Sequence, residues 1–259
     1  MTINSKDKRD VYYFMAKQNN YRARSIYKLK QINEKYKIFD SKNINVLDLC
    51  AAPGSWSQYL SEIKRNNNNI NKIIAVDLQD MEPIENVDIY KADITDHSFI
   101  TKMIDQSINI IICDGAPDVT GFTDLDLYAQ MDLLKASLEI SLKTRCNLFL
   151  SKIFRNRLIK YIVNHFRKYY REVILTKPRA SRGNSTECFI LCRGIIDVDY
   201  DDLYKIDFNV EIDEEPVDIC GYDDVDPDYY VEEIVKNDNY KNSKPIDAPY
   251  NDIVNMKKQ

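Results

Sequence analysis

The stretch VLDLCAAPGSWSQYL, residues 46–60, decides the fold class of this chain. Its first residues are apolar, as in a buried strand, and a turn of small residues containing Gly54 leads into a helical pattern that begins at Ser55 or Trp56. A glycine in such a turn lets the backbone approach a ligand closely, and the free N–H groups of the new helix attract a carboxylate or a phosphate. The stretch therefore predicts a strand, a ligand-binding turn and a helix.

Between residues 44 and 192, short β-rich segments alternate with longer helical patterns, which predicts a doubly wound, Rossmann-like α/β sheet of seven strands. Several of the segments are continuously apolar, as strands covered on both faces must be. The predicted strands are INVLDL, KIIAVDL, VDIYKAD, INIIICD, NLFLSKIF, REVILTK and CFILCRG. The predicted helices are a basic one at Tyr21–Tyr36, before the sheet, and then Ser55–Arg65, Ser98–Gln106, Leu125–Leu142 and Asn156–Tyr169.

Acidic residues follow the second and third predicted strands, at the edge where parallel strands meet a ligand. Asp77 is placed to accept hydrogen bonds from both hydroxyls of a ribose, and Asp93 to accept one from an exocyclic amine. Either acid alone is as readily explained as the cap of a following helix. The glycine turn after the first strand, together with Asp77 and Asp93 after the second and third, favours a nucleoside ligand instead. The absence of a GxGxxG loop or a P-loop from the sequence favours S-adenosylmethionine over NAD, although the fold by itself leaves that choice open.

A second group of ionisable residues lies at the same predicted edge. Asp114 ends the fourth strand, Lys152 ends the fifth, and Glu187 begins the seventh. Burial of Lys152 within LFLSKIF disfavours its ammonium form and lowers its pKa, which suits a general base, whereas Asp114 and Glu187 favour the ammonium and oppose that lowering. The alternative is a lysine whose stem is buried while its amine reaches solvent. Acids on the neighbouring strands favour the functional interpretation.

Six motifs, taken in this order, resemble the FtsJ-like ribose 2′-O-methyltransferases, which depend on S-adenosylmethionine, over nearly all of residues 6–194. They are DLCAAPGSWSQ, VDLQDM, ADIT, CDGAPDVTG, KIFR and KPRASRGNSTE. The resemblance implies a catalytic Lys-Asp-Lys-Glu tetrad at Lys28, Asp114, Lys152 and Glu187. It also implies cofactor contacts at Gly54, Trp56, Asp77, Asp93 and Asp114, and a reaction without a metal.

Within that family, the opening KDKRDVYY and the loop DGAPDVTGFTDLD resemble the eukaryotic tRNA anticodon-loop enzymes, which modify nucleotides 32 and 34. The resemblance implies tRNA as substrate and two protein partners, a WD-repeat protein for nucleotide 34 and a helical-repeat protein for nucleotide 32. The alternatives are a methyltransferase of ribosomal RNA or of an mRNA cap, and an inactive RNA-binding subunit, in which tetrad residues should be lost. Arg145–Cys146 stands where the family has Gly-Gly, a departure that leaves the tetrad untouched.

Charge is distributed unevenly along the chain. The net charge of −5 is the balance between +8 on residues 1–193 and −13 on residues 194–259. We expect a basic N-terminal region at 1–37, a methyltransferase core at 38–194, and an acidic tail at 195–259 that either docks on a partner or is a disordered, solubilising segment. Phosphate contacts are predicted at Arg22, Arg24, Arg155, Lys177, Arg179 and Arg182. A reacting 2′-hydroxyl excludes DNA as a substrate.

Cysteine usage and hydropathy predict the compartment. The six cysteines are scattered singly, with no CxxC pair and only two histidines, which argues against zinc and for a reducing environment. No apolar run approaches the roughly 20 residues that cross a bilayer, and the N-terminus lacks the apolar core of a secretory signal. We therefore expect a cytoplasmic location and no membrane association.

Overall fold

An eight-stranded sheet organises the structure, a computed structural model that describes residues 10–104, 106–116, 123–156, 158–183, 185–197 and 217–220. The strands are β1 (Ile44–Leu49), β2 (Ile70–Asp77), β3 (Asp88–Lys91), β4 (Ile110–Cys113), β5 (Leu148–Phe154), β6 (Tyr170–Pro178), β7 (Glu187–Ile195) and β8 (Val217–Cys220). The helices are α1 (Val11–Gln18), α2 (Ile26–Tyr36), α3 (Ser55–Asn67), α4 (His97–Ile104), α5 (Thr123–Lys143) and α6 (Ile159–Phe166). The strand order is β3-β2-β1-β4-β5-β7-β6-β8.

The order and direction of the strands dictate where a ligand binds. Strand β7 runs antiparallel to β5 and β6, whereas the other paired strands run parallel. The chain moves outward from β1 through β2 to β3, and then returns to β4 on the opposite side of β1. In an open sheet of this kind, the reversal leaves a crevice at the carboxyl ends of the two central strands. The topology therefore directs a ligand to the ends of β1 and β4.

Helices cover both faces of the sheet because its central strands are apolar on both sides. Along β4, Ile110 and Ile112 pack against the layer formed by α2 and α3, whereas Ile111 and Cys113 pack against α4, α5 and α6. All four of these side chains are buried, so β4 has no solvent face. None of the helices in the described part of the chain has the length and apolar character needed to cross a membrane.

The mixed α/β sheet confirms the predicted fold class, but the described residues contain one strand more than the seven predicted. The extra strand, β8, pairs parallel to β6 and comes from the acidic tail. Its Asp218 accepts a hydrogen bond from Lys35 Nζ at 2.5 Å and another from the Tyr36 hydroxyl, so two residues of α2 hold it. The sequence did not predict β8 because it has only four residues and lies in an acidic segment, where the alternation of apolar and polar residues is too short to indicate a strand. The rest of the predicted tail, 198–216 and 221–259, and residues 1–9 of the predicted basic region lie outside the described residues.

The N-terminal region contains a helix that the prediction omitted. The predicted helix at Tyr21–Tyr36 begins only at Ile26, and α1 precedes it. The Asp10 carboxylate caps α1 by accepting a hydrogen bond from the N–H of Tyr13 at 3.0 Å, a signal present in the sequence DVYYFMAK. Residues 21–25 form turns between the two helices.

Candidate active site

Strand register brings the ionisable residues of the predicted tetrad to one face of the sheet. Asp114 and Lys152 directly follow a paired position of β4 and β5, so they lie side by side. In the antiparallel pair of β5 and β7, Lys152 lies opposite Phe189, and Glu187, two residues earlier, faces the same side. Helix α2 covers this face, and its Lys28 reaches the same point, with Nζ 5.9 Å from the centre of the Phe189 ring.

The four side chains form one connected cluster. Lys28 Nζ donates a hydrogen bond to Glu187 Oε2 at 2.8 Å and lies 3.8 Å from Asp114 Oδ1. Lys152 Nζ donates to the backbone carbonyl of Asp114 at 2.6 Å and lies 3.1 Å from Asp114 Oδ1. That carboxylate oxygen is buried, and no aligned hydrogen-bond donor faces it among the described residues. Two cations and two carboxylates therefore converge here, while their catalytic roles stay predictions.

The charges of this cluster set the protonation state of Lys152, whose side chain is only 9% exposed. Burial by itself disfavours the ammonium, but the carboxylates of Asp114 and Glu187 outweigh it and raise the pKa of Lys152 above its ordinary value. Of the two opposing effects expected from the sequence, the raising of the pKa by the neighbouring acids therefore outweighs the lowering by burial. Lys152 is an ammonium in the free protein and must lose a proton before it can act as a base.

A small polar cleft lies at the ends of β1 and β4 and includes Asp114 in its wall. Its lining consists of Ser25, Asp48, Cys50, Ala51, Ala52, Ser55, Trp56 and Asp114. Gly54 precedes α3 with a φ of 103°, and a Cβ there would lie 2.7 Å from Arg22 Nη1 and 2.8 Å from Ile84 Cδ1. The positive φ therefore requires glycine here, as the turn in the sequence indicated, whereas the crowding atoms are the ends of flexible side chains.

Asp48 is a residue of the cleft that the sequence analysis missed. Its Oδ2 accepts a hydrogen bond from the Ser57 hydroxyl at 2.6 Å, and burial raises the pKa of its carboxyl to about 8. A positively charged ligand would favour the ionised carboxylate. Alternation along β1 could have identified the residue, since Asp48 shares a face with Val46, which packs beneath α3. The cleft is thus lined by two acids, Asp48 and Asp114, and acidic groups suit a cationic ligand such as S-adenosylmethionine.

Trp56 was predicted as a cofactor contact, and the structure places it at the border between cleft and core. It lines the cleft, but its side chain is buried and its ring packs on Phe189 with ring centres 5.8 Å apart. Its indole Nε1 donates to the backbone carbonyl of Ser25 at 2.8 Å, which joins α3 to the turn before α2.

The two predicted cofactor acids at the neighbouring strand ends also have partners within the protein. Asp77 ends β2, and its Oδ2 accepts a hydrogen bond from the N–H of Ala52 at 2.8 Å, so it helps to shape the glycine turn. Asp93 is exposed, and its Oδ1 accepts a hydrogen bond from the N–H of Thr95 at 2.8 Å. This bond closes a local turn and does not cap α4, which begins at His97 directly after Asp96.

Four of the residues predicted to contact RNA lie on β5, β6 or the segments that follow them. Arg155 and Arg182 are exposed, and Lys177 is half-buried with its Nζ donating to the Ser185 carbonyl at 2.6 Å. The backbone N–H of Arg179 donates to the Cys220 carbonyl at 2.9 Å, so β8 holds the start of the loop that carries Arg182.

The other two predicted RNA contacts, Arg22 and Arg24, are engaged inside the protein. The Arg22 guanidinium donates hydrogen bonds to three backbone carbonyls, those of Pro53, Glu82 and Pro83, at 2.9–3.0 Å. Arg24 forms an ion pair with Asp10 and donates to the carbonyl of Ala180. Both arginines therefore stabilise loops around the site. The predicted RNA-binding surface is left with four basic residues, Arg155, Lys177, Arg179 and Arg182.

Comparison with known proteins relates this geometry to a family. The family model described as FtsJ-like methyltransferase matches residues 21–195. The tRNA (cytidine(32)/guanosine(34)-2′-O)-methyltransferase of Homo sapiens is 43% identical over 73% of this chain and 59% of that protein. The enzyme of the same name from Schizosaccharomyces pombe is 41% identical over 74% of this chain and 72% of that protein. The chain thus spans less than two thirds of the length of the human relative.

A solved structure agrees with the topology. A crystal structure of a Plasmodium falciparum protein assigned as a ribosomal RNA methyltransferase superimposes with a TM-score of 0.58 and 25% sequence identity. The superposition covers 68% of this chain and 98% of that one. The fold described above is therefore shared with that protein.

Proposed function

The chain belongs to the FtsJ-like methyltransferase family, and on that premise we propose that it methylates the ribose 2′-hydroxyl of tRNA at nucleotides 32 and 34 of the anticodon loop. The observation that carries the proposal is the cluster of Lys28, Asp114, Lys152 and Glu187 beside a cleft suited to a cationic nucleoside. The names of the human and S. pombe relatives support tRNA as the substrate.

The reaction needs a base, a way to orient the hydroxyl, and a methyl donor. S-adenosylmethionine, when bound, supplies a methyl group on a positively charged sulfur. Neutral Lys152 accepts the proton of the 2′-hydroxyl at Nζ, and Asp114 holds that amine through its carbonyl and carboxylate oxygens. The hydrogen-bonded pair of Lys28 and Glu187 orients the hydroxyl. The residues that would hold the cofactor are Gly54, Trp56, Asp77, Asp93 and Asp114.

The RNA would approach over the exposed cations around the end of β5 and the loop after β6. Arg155 and Arg182 lie on segments that flank Glu187, where the phosphates next to the reacting ribose would lie. A single-stranded loop suits such a site because its bases can be splayed away from the ribose that reacts.

The salt dependence of RNA binding tests this surface. We expect the logarithm of the affinity for an anticodon stem-loop to fall linearly with the logarithm of salt concentration, and Arg155→Ala and Arg182→Ala each to reduce the slope by about 0.7, the value for one lost phosphate contact on a single strand. Arg65→Ala is the matched control, because Arg65 is an exposed arginine at the far end of α3. Equal slopes for all four proteins would remove this surface from the proposal.

The decisive test of the function is methyl transfer from labelled S-adenosylmethionine to unmodified tRNA, followed by mapping of the labelled nucleotides. The assay is run with the chain alone, with a candidate WD-repeat partner, and with a candidate helical-repeat partner. We expect label at nucleotide 34 with the first partner and at nucleotide 32 with the second. A family relationship to a ribosomal RNA methyltransferase keeps ribosomal RNA as the second candidate substrate. Label in ribosomal RNA and none in tRNA would transfer the proposal to that substrate.

A further inference from the structure

The Glu187 carboxylate is held at both oxygens. Lys28 Nζ donates to Oε2 at 2.8 Å, and the hydroxyl of Ser181 donates to Oε1 at 2.6 Å. Ser181 is 2% exposed and Glu187 is 9% exposed, so little water competes for either bond. With a donor on each oxygen, the carboxylate cannot rotate about its last bond without breaking one of two short, charge-assisted contacts.

The Ser181 hydroxyl owes its position to helix α2. One turn after Lys28, the buried side chain of Gln31 accepts a hydrogen bond from the N–H of Ala180 at 2.8 Å. The N–H of Ser181 closes a turn by donating to the Pro178 carbonyl at 2.8 Å. The same helix therefore presents Lys28 to one oxygen of Glu187 and fixes the loop that presents Ser181 to the other.

We propose that Ser181 is a positioning residue of the methyl-transfer reaction, which keeps the Glu187 carboxylate turned toward Lys28. The inference rests on the proposed function, since it assigns Ser181 a part in orienting the ribose hydroxyl through the Lys28–Glu187 pair. Ser181 lies in none of the predicted tetrad positions, and its chemistry is that of a neutral donor to a buried anion. Without it, the carboxylate turns, and the hydroxyl of the substrate loses its fixed partner.

The experiment compares single-turnover methylation of tRNA by the full chain, its Ser181→Ala and Ser181→Cys variants, and a control, Ser137→Ala. Ser137 is likewise fully buried, and its hydroxyl donates to the Leu134 carbonyl at 2.9 Å in helix α5, away from the site. We expect Ser181→Ala to be slower by about tenfold, which is the lower end of the range for the loss of a hydrogen bond to a charged group. Ser181→Cys, with a weak donor of similar size, falls between alanine and wild type. Ser137→Ala stays within about twofold of wild type.

A second measurement separates positioning from a general loss of structure. Burial raises the pKa of Glu187, and Lys28 and the Ser181 hydroxyl together bring it below its ordinary value. A titration of ¹³C-labelled glutamate carboxyls by NMR, with Glu187→Gln to assign the resonance, should therefore show a higher pKa for Glu187 in Ser181→Ala and no change in Ser137→Ala. The inference is overturned if Ser181→Ala methylates at the wild-type rate, or if the pKa of Glu187 is the same in Ser181→Ala as in the wild type. Failure of the proposed function is a different result, namely a wild-type chain that transfers no methyl group to any RNA.

Discussion

Lys152→Ala is expected to lower the single-turnover rate of methyl transfer by about 10²–10⁴-fold, the usual scale for loss of a general base. The affinity for S-adenosylmethionine should change little, because Lys152 is absent from the lining of the cleft. Rates are measured in a single turnover with saturating cofactor, and cofactor binding is measured separately by calorimetry. A variant that methylates at nearly the wild-type rate would end the assignment of Lys152 as the base.

Lys152→Arg distinguishes a base from a fixed positive charge. Arginine keeps the cation but does not lose its proton in proteins, so this variant should be as inactive as Lys152→Ala. Since Asp114 and Glu187 raise the pKa of Lys152, the neutral amine is scarce near neutral pH and increases as the pH rises. The wild-type rate should therefore rise by about tenfold for each pH unit below that pKa, whereas the residual rate of Lys152→Ala should not. An active arginine variant, or a wild-type rate that is flat between pH 6 and 9, would show that the charge alone matters.

Asp114→Ala should have the second largest effect, a loss of about 10²-fold or more in rate, accompanied by lower stability. Its carboxylate is the common neighbour of Lys28 and Lys152, at 3.8 and 3.1 Å. Without it, Glu187 alone faces two buried cations, and removing one partner of a buried ion pair costs about 3–5 kcal/mol. Asp88→Ala, which removes an exposed acid on β3, serves as the control and should leave both rate and unfolding unchanged.

Asp114→Asn tests the electrostatic part of the same argument. The amide keeps the size of the side chain, and the backbone carbonyl that accepts the Lys152 hydrogen bond at 2.6 Å is unaffected. With one carboxylate fewer, the pKa of Lys152 falls, so the pH at which the rate levels off should move downward. A pH profile identical to that of the wild type would mean that Asp114 does not control the protonation of Lys152.

Much of this site could be predicted because Asp114, Lys152 and Glu187 stand at the ends of apolar strands, which a sheet of this kind brings to one edge. Strand order then brings three distant segments to one edge. Asp48 obeys the same rule and could have been included. Lys28, by contrast, was implied only by the family resemblance.

The remaining features depend on contacts between segments that periodicity does not reveal. The direction of the Lys152 pKa depends on distances to carboxylates on other elements, which the apolar sequence around it cannot show. The same holds for Arg22 and Arg24, whose basic character indicated a phosphate surface although their partners are carbonyls and Asp10. Ser181 is a short polar residue in a loop, and only the fold places it against Glu187.

Strand β8 also affects how copies of this protein behave toward one another. Opposite β7, strand β6 would otherwise leave its N–H and C=O groups along Leu175–Pro178 open to pairing with a strand from another chain. The four-residue cover is short and carries Asp218, both of which discourage further pairing on its outer side. Strand β8 thus reduces the tendency to aggregate, because it covers an edge of β6 with which a strand of another chain could otherwise pair.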